Sequence, residues 1–118
     1  MNIEEKPIEE KRKYYQIYAE FEIKISQKVQ PPNIYAQILN VIVPTTEMYI
    51  ESKQIKIYTA NRTEIKFGWK YNISEPRDTL WIQVSSLDLP EAQETFNKIK
   101  EQIKTYIETN TPKGEQNE

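Results

Sequence analysis

The chain has 118 residues and a formal net charge of −2, and it contains neither cysteine nor histidine. That length suits one domain with a modest core. The composition excludes a disulfide framework, thiolate chemistry, the commonest general base and the commonest metal ligand, and the acidic balance argues against a globally basic nucleic-acid binder.

Met1 to Lys13 is dense in glutamate and lysine around Pro7, with Ile3 and Ile8 as its large apolar side chains after the initiator. Residues 1–13 therefore read as a disordered lead-in. No apolar run approaches the roughly 20 residues that span a bilayer, and the acidic start is not a signal peptide. The expectation is a soluble, cytoplasmic protein with no membrane partner.

Tyr14 to Ser26 alternates, with Tyr15, Ile17, Ala19, Phe21, Ile23 and Ile25 on one face and Gln16, Tyr18, Glu20, Glu22 and Lys24 on the other. This is the pattern of a half-buried strand. Gln30-Pro31-Pro32-Asn33 breaks it. Ile34 to Val43 then places Ile34, Ile38, Val41 and Ile42 on a helical face, and Pro44 ends that helix. Four strands follow: Glu47–Glu51, the segment around Ile55, Ile57 and Thr59, the run from Ile65 to Ile73, and Thr79–Ser85. Turns at Ser52-Lys53 and Ala60–Thr63 and a loop at Ser74–Asp78 separate them. Gly68, inside the third of these strands, signals a bulge or a close backbone approach.

Ser86 to Asn110 reads as a long helix, its apolar stripe formed by Ala92, Phe96, Ile99, Ile103 and Tyr106/Ile107. Asp88 and Glu91 have capping-box spacing, and Pro90 suits a first turn. Residues 111–118 form a polar tail that reads as disordered. The fold class is therefore α+β in the order β-α-β-β-β-β-α. Residues 14–110 form one domain, with a single antiparallel sheet of about five strands and both helices packed on one face.

The other face then carries Tyr18, Tyr49, Tyr58 and Trp81, with Lys24, Lys56, Lys66 and Lys70 among them. Aromatic rings interleaved with ammonium groups are what a single-stranded nucleic-acid platform needs. The same face bears Glu20, Glu22, Glu47, Glu51 and Glu64, which cancel the positive field that drives such binding. Tyrosine and tryptophan also anchor protein interfaces, and cross-strand pairs of these residue types stabilise a solvated sheet without further function. A third reading places an apolar ligand between the long helix and the sheet, against Phe67, Trp69 and Tyr71, although such rings ordinarily build core.

No catalytic constellation, phosphate-cradling glycine loop or cofactor motif is present. The sequence thus points to a non-catalytic binding or adaptor protein, such as a small accessory or inhibitor protein. Its partner is a protein or a second copy of the chain, docked on the open sheet face or a sheet edge. The candidate contact residues are Tyr18, Tyr49, Tyr58, Trp81, Lys56 and Lys66. Single-stranded nucleic-acid binding on that face and an apolar-ligand carrier are the alternatives.

Overall fold

The computed structural model describes residues 2–10, 13–42 and 45–111. The elements run β1 (Ile3–Glu5), β2 (Glu9–Glu10), β3 (Tyr15–Lys24), α1 (Pro31–Val41), β4 (Thr45–Ile50), β5 (Ile55–Thr59), β6 (Glu64–Lys70), β7 (Arg77–Ser86) and α2 (Leu89–Asn110). The strands form one antiparallel sheet in the order β1-β3-β7-β6-β5-β4, with β2 also on the outer side of β3.

Chain connectivity follows from this order. After β3, α1 carries the chain across the sheet to its far edge. The meander β4 to β7 then returns strand by strand until β7 pairs with β3 along its whole length, Tyr15 opposite Ser86 and Lys24 opposite Arg77. Finally α2 lies back over β3 and β7, against α1.

The alternation of β3 does what its pattern demands. Ile17, Ala19, Phe21 and Ile23 are buried, together with Leu80, Ile82 and Val84 of β7 and Ile57, Ile65 and Phe67 of the meander. The stripe on α2 buries Ala92, Phe96, Ile99, Ile103 and Ile107. Each such Ile or Phe side chain is worth roughly 1.5–3 kcal/mol relative to exposure, so this helix–sheet contact holds the domain together. A buried polar link ties the end of α2 to the turn after β3. Gln27 Nε2 donates to Thr111 Oγ1 at 3.3 Å, while Gln27 Oε1 accepts the Lys24 N–H at 2.8 Å.

Several expectations need correction. Part of the segment 1–13 is sheet: β1 and β2 pair with β3, Lys6 N–H donating to Tyr18 O at 3.0 Å and Glu22 N–H to Asn2 O at 2.9 Å. The apolar pattern there is too thin to announce a strand, because the pairing comes from the free backbone edge of β3. The tail expected at residues 111–118 lies outside the described residues from 112 onward, whereas Thr111 itself is buried.

The prolines that interrupt the strand pattern also open α1, which begins at Pro31 rather than at Ile34. Pro31 and Pro32 occupy its first turn, where a missing N–H leaves no bond unmade, and the Asn33 and Ile34 amides donate to Gln30 O. The capping box on α2 does not form. Asp88 makes no side-chain cap, and Glu91 instead accepts from Asn61 Nδ2 at 3.2 Å and Thr95 Oγ1 at 3.3 Å. Ile25 turns outward in a single 3-10 turn and is exposed. The strand expected through Ile73 ends at Lys70, leaving Tyr71 and Ile73 in solvent.

Candidate interaction surface

Alternation places Tyr18, Glu20 and Glu22 of β3, Trp81 and Gln83 of β7, Glu64, Lys66, Gly68 and Lys70 of β6, Lys56 and Tyr58 of β5, and Glu47 and Tyr49 of β4 on the face away from the helices. All six candidate contact residues share this face. They do not form one patch. Tyr18 and Trp81 stack with ring centroids 6.4 Å apart and an interplanar angle of 17°, and on the far strands Tyr49 meets Tyr58 edge-on at 6.1 Å. Between the pairs, Lys56 and Lys66 stand directly opposite each other across β5 and β6.

The first pair is already engaged within the chain. Tyr18 Oη donates to Glu20 Oε2 at 2.7 Å, Lys70 Nζ reaches the same oxygen at 3.2 Å, and Lys6 Nζ lies 5.3 Å from the Tyr18 ring centre. Burial and the Glu20 carboxylate push the Tyr18 hydroxyl well above the ordinary phenol range. The Tyr18 hydroxyl and then Lys70 hold Glu20 below the ordinary carboxylate range. Beyond it, Asn2 and Arg77 lower Glu22 in the same way, Arg77 Nη1 approaching to 2.5 Å.

Trp81 is seated over Gly68. A Cβ at residue 68 would come within 2.7 Å of the indole Nε1 and 2.5 Å of the Lys53 carbonyl oxygen. The glycine therefore marks a close approach, one of the two readings of its mid-strand position.

At the second pair, Tyr49 donates to Glu47 and Tyr58 to Glu64, and these hydrogen bonds raise both hydroxyls above their ordinary range. Lys66 pairs with Glu64 at 3.6 Å and Lys56 with Glu51 at 3.9 Å. The lysines are thus neutralised where they stand, and little field remains to attract phosphates.

A feature that alternation alone did not reveal lies at the end of the sheet. No strand pairs with the outer side of β4 among the described residues, and pairing with Ile57 and Ile55 sets Met48 and Ile50 on the helix-facing side of the sheet. They nevertheless remain 48% and 76% exposed, with Tyr49 between them at 48%. Sequence periodicity shows which side a residue points to. It does not show whether anything covers that side.

The aromatic run of β6 separates by depth. Phe67 is fully buried against Tyr35 of α1, with ring centroids 5.1 Å apart, and is core. Trp69 sits at the rim, its Nε1–H donating to Asp78 Oδ2 at 3.0 Å. With Tyr35, Ile50, Ile55, Tyr71 and the α1 prolines it lines an open groove of about 670 Å³. This groove lies between the start of α1 and the β4–β5 hairpin rather than beneath α2. Among the described residues, no group of three His, Cys, Asp or Glu side chains is placed to hold a metal ion, and no helix is long and apolar enough to cross a membrane.

No protein-family model matches the chain, and no curated protein matches its sequence. One similar solved structure is that of EF2215, a conserved protein of unknown function from Enterococcus faecalis. It superposes with a TM-score of 0.55 over 95% of this chain and 82% of the other, at 14% sequence identity. At that identity the likeness is one of fold.

Proposed function

We propose that the protein is a non-catalytic binding module that docks another polypeptide along the edge strand β4 and the aromatic pair beside it. The observation that carries this reading is the run Met48-Tyr49-Ile50, three large side chains exposed in succession on a strand whose outer side pairs with no other strand among the described residues. Such an edge offers backbone hydrogen bonds to an incoming strand and apolar contacts on both of its faces. Tyr49, Tyr58 and Lys56 belong to this surface. Tyr18, Trp81 and Lys66 stand on β3, β7 and β6, farther from this edge, and belong to the supporting sheet.

The test is a titration with an extended peptide of alternating valine and threonine, read as hydrogen-exchange protection of the Met48 and Ile50 amides. Protection that is insensitive to salt, lost in Ile50→Lys and retained in Trp81→Ala supports the edge. A response only to a single-stranded oligonucleotide, and only at low salt, moves the function to nucleic acid.

The groove beside Trp69 favours a second reading, a small apolar ligand held by Tyr35, Ile55 and Trp69. A ligand-dependent rise in melting temperature that disappears in Trp69→Ala is its test.

A further inference from the structure

We infer that the segment docked on β4 is β4 of a second copy, paired antiparallel about a two-fold axis through Met48. This rests on the edge reading above and names its partner. Three observations lead to it.

The first is the phase of the backbone. At the β4–β5 turn, the Glu51 amide donates to Gln54 O at 2.9 Å. Continuing the antiparallel register, Tyr49 and Glu47 turn their N–H and C=O groups toward β5, while Met48 and Ile50 turn theirs outward. Residues 48 and 50 are therefore the ones that can bond to a new strand.

The second is charge. A two-fold axis normal to the sheet preserves the faces of both copies, so the axis must fall on a residue. Centring on Glu47 sets two glutamates face to face, and centring on Tyr49 sets Glu47 opposite Glu51 of the second copy at both ends. Centring on Ile50 leaves most of β4 unpaired. Centring on Met48 sets Met48 against Met48 and Glu47 against Tyr49 of the second copy. That matches a carboxylate with the hydroxyl type that already donates to it within the chain. This register alone joins outward-facing backbone groups around Met48 without opposing like charges, the pairing of β4 with β5 being regular from Glu47 to Ile50 and shifted between Thr45 and Glu47.

The third is the other end of the sheet. The edge beyond β3 is occupied by β1 and β2, which carry Glu4, Glu5, Glu9 and Glu10. A head-to-tail contact of β4 with that edge would bring Glu47 and Glu51 against these acids. The isologous β4 contact has no such conflict, and it closes on itself instead of extending into a fibre.

Because the chain contains no cysteine, single-cysteine variants read the register directly. In the pairing above, the two Met48 Cα atoms stand about 5.5 Å apart, within the span of a disulfide. Under mild oxidation, Met48→Cys is expected to crosslink about tenfold faster or more than Lys98→Cys on the outer surface of α2, because its thiols are already held together. Tyr49→Cys should stay near the Lys98→Cys background.

Light scattering on the cysteine-free chain should show a concentration-dependent dimer that is insensitive to salt and absent in Ile50→Lys. The exposed position of Ile50 lets that variant keep its fold, which circular dichroism verifies. Crosslinking through Tyr49→Cys but not Met48→Cys overturns the register. A chain that remains monomeric at millimolar concentration overturns the second copy as occupant, while the peptide titration still decides whether the edge docks a foreign strand. A dimer that survives Ile50→Lys and crosslinks at neither strand position overturns both readings.

Discussion

Gly68 and Trp81 face each other across β6 and β7, and the indole fills the space that any side chain at residue 68 would need. Gly68→Ala must displace either the ring or the Lys53 carbonyl, which lies still closer to the position of the new atom. The expected cost is about 2 kcal/mol, typical of overpacking a tight site, read as a fall in urea midpoint. Adding Trp81→Ala should restore only part of that loss, because the backbone carbonyl remains in the way. Full restoration would show that the ring alone sets the constraint.

Thr63 Oγ1 is buried without a hydrogen-bond partner among the described residues. It sits after the β5–β6 turn, where Arg62 takes a left-handed conformation and donates its amide to Thr59 O at 3.0 Å. Valine has the same shape without the hydroxyl. Thr63→Val should therefore raise stability by about 1 kcal/mol, seen as a higher denaturation midpoint. A loss of similar size would mean that the hydroxyl makes a bond in solution.

Tyr18 and Glu20 couple stability to pH at both ends of the range. Glu20 and Glu22 have folded-state values below those of the free carboxylate, so their stabilisation is present above the unfolded value and is lost as pH falls through the folded one. Tyr18 is raised from 10.0, so its contribution is complete below that pH and is lost as pH rises toward the folded value. Tyr18→Phe removes a donor from Glu20 and the titrating phenol together. Urea midpoints measured from about pH 3 to about pH 11 should show both limbs flattened in this variant.

Deleting residues 2–10 uncovers the outer edge of β3 and removes the Glu5 carboxylate that Lys100 Nζ meets at 2.7 Å. Half-buried Ile3 and the backbone bonds to β3 are lost with it. The expected destabilisation is on the order of 2–3 kcal/mol, with faster exchange of the Glu22 amide that donates to Asn2 O. A solvated tail would change neither quantity.

What was legible in the sequence and what was not divide along a physical line. The buried rows of β3 and β7 and the stripe of α2 repeat with the period of their own backbone, so Phe21, Ile82 and Ile99 declare their environment locally. The strand character of Ile3–Glu5 depends on a partner edge far along the chain. Pro31 and Pro32 are breakers in most contexts and starters in this one. At the candidate surface, the shared face of Tyr18, Tyr49, Tyr58 and Trp81 follows from parity, but its division into two separate pairs follows from strand order. The exposure of Met48 and Ile50 follows from the place of β4 at the end of the strand order. No window of sequence around β4 contains that information.

The long pairing of β3 with β7 also sets an order of events during synthesis. During synthesis β3 finds its main partner only when residues 77–86 emerge, after the crossover and the strands β4 to β6. Until then Ile17, Phe21 and Ile23 have no sheet neighbour on that side, and α2, which covers them, comes later still. Contacts so distant along the chain close slowly. The meander, whose strands are joined by short turns, can form ahead of them and serve as the template. Between those two moments the nascent chain carries an uncovered apolar strand, and this is the interval in which a chaperone would have most to protect.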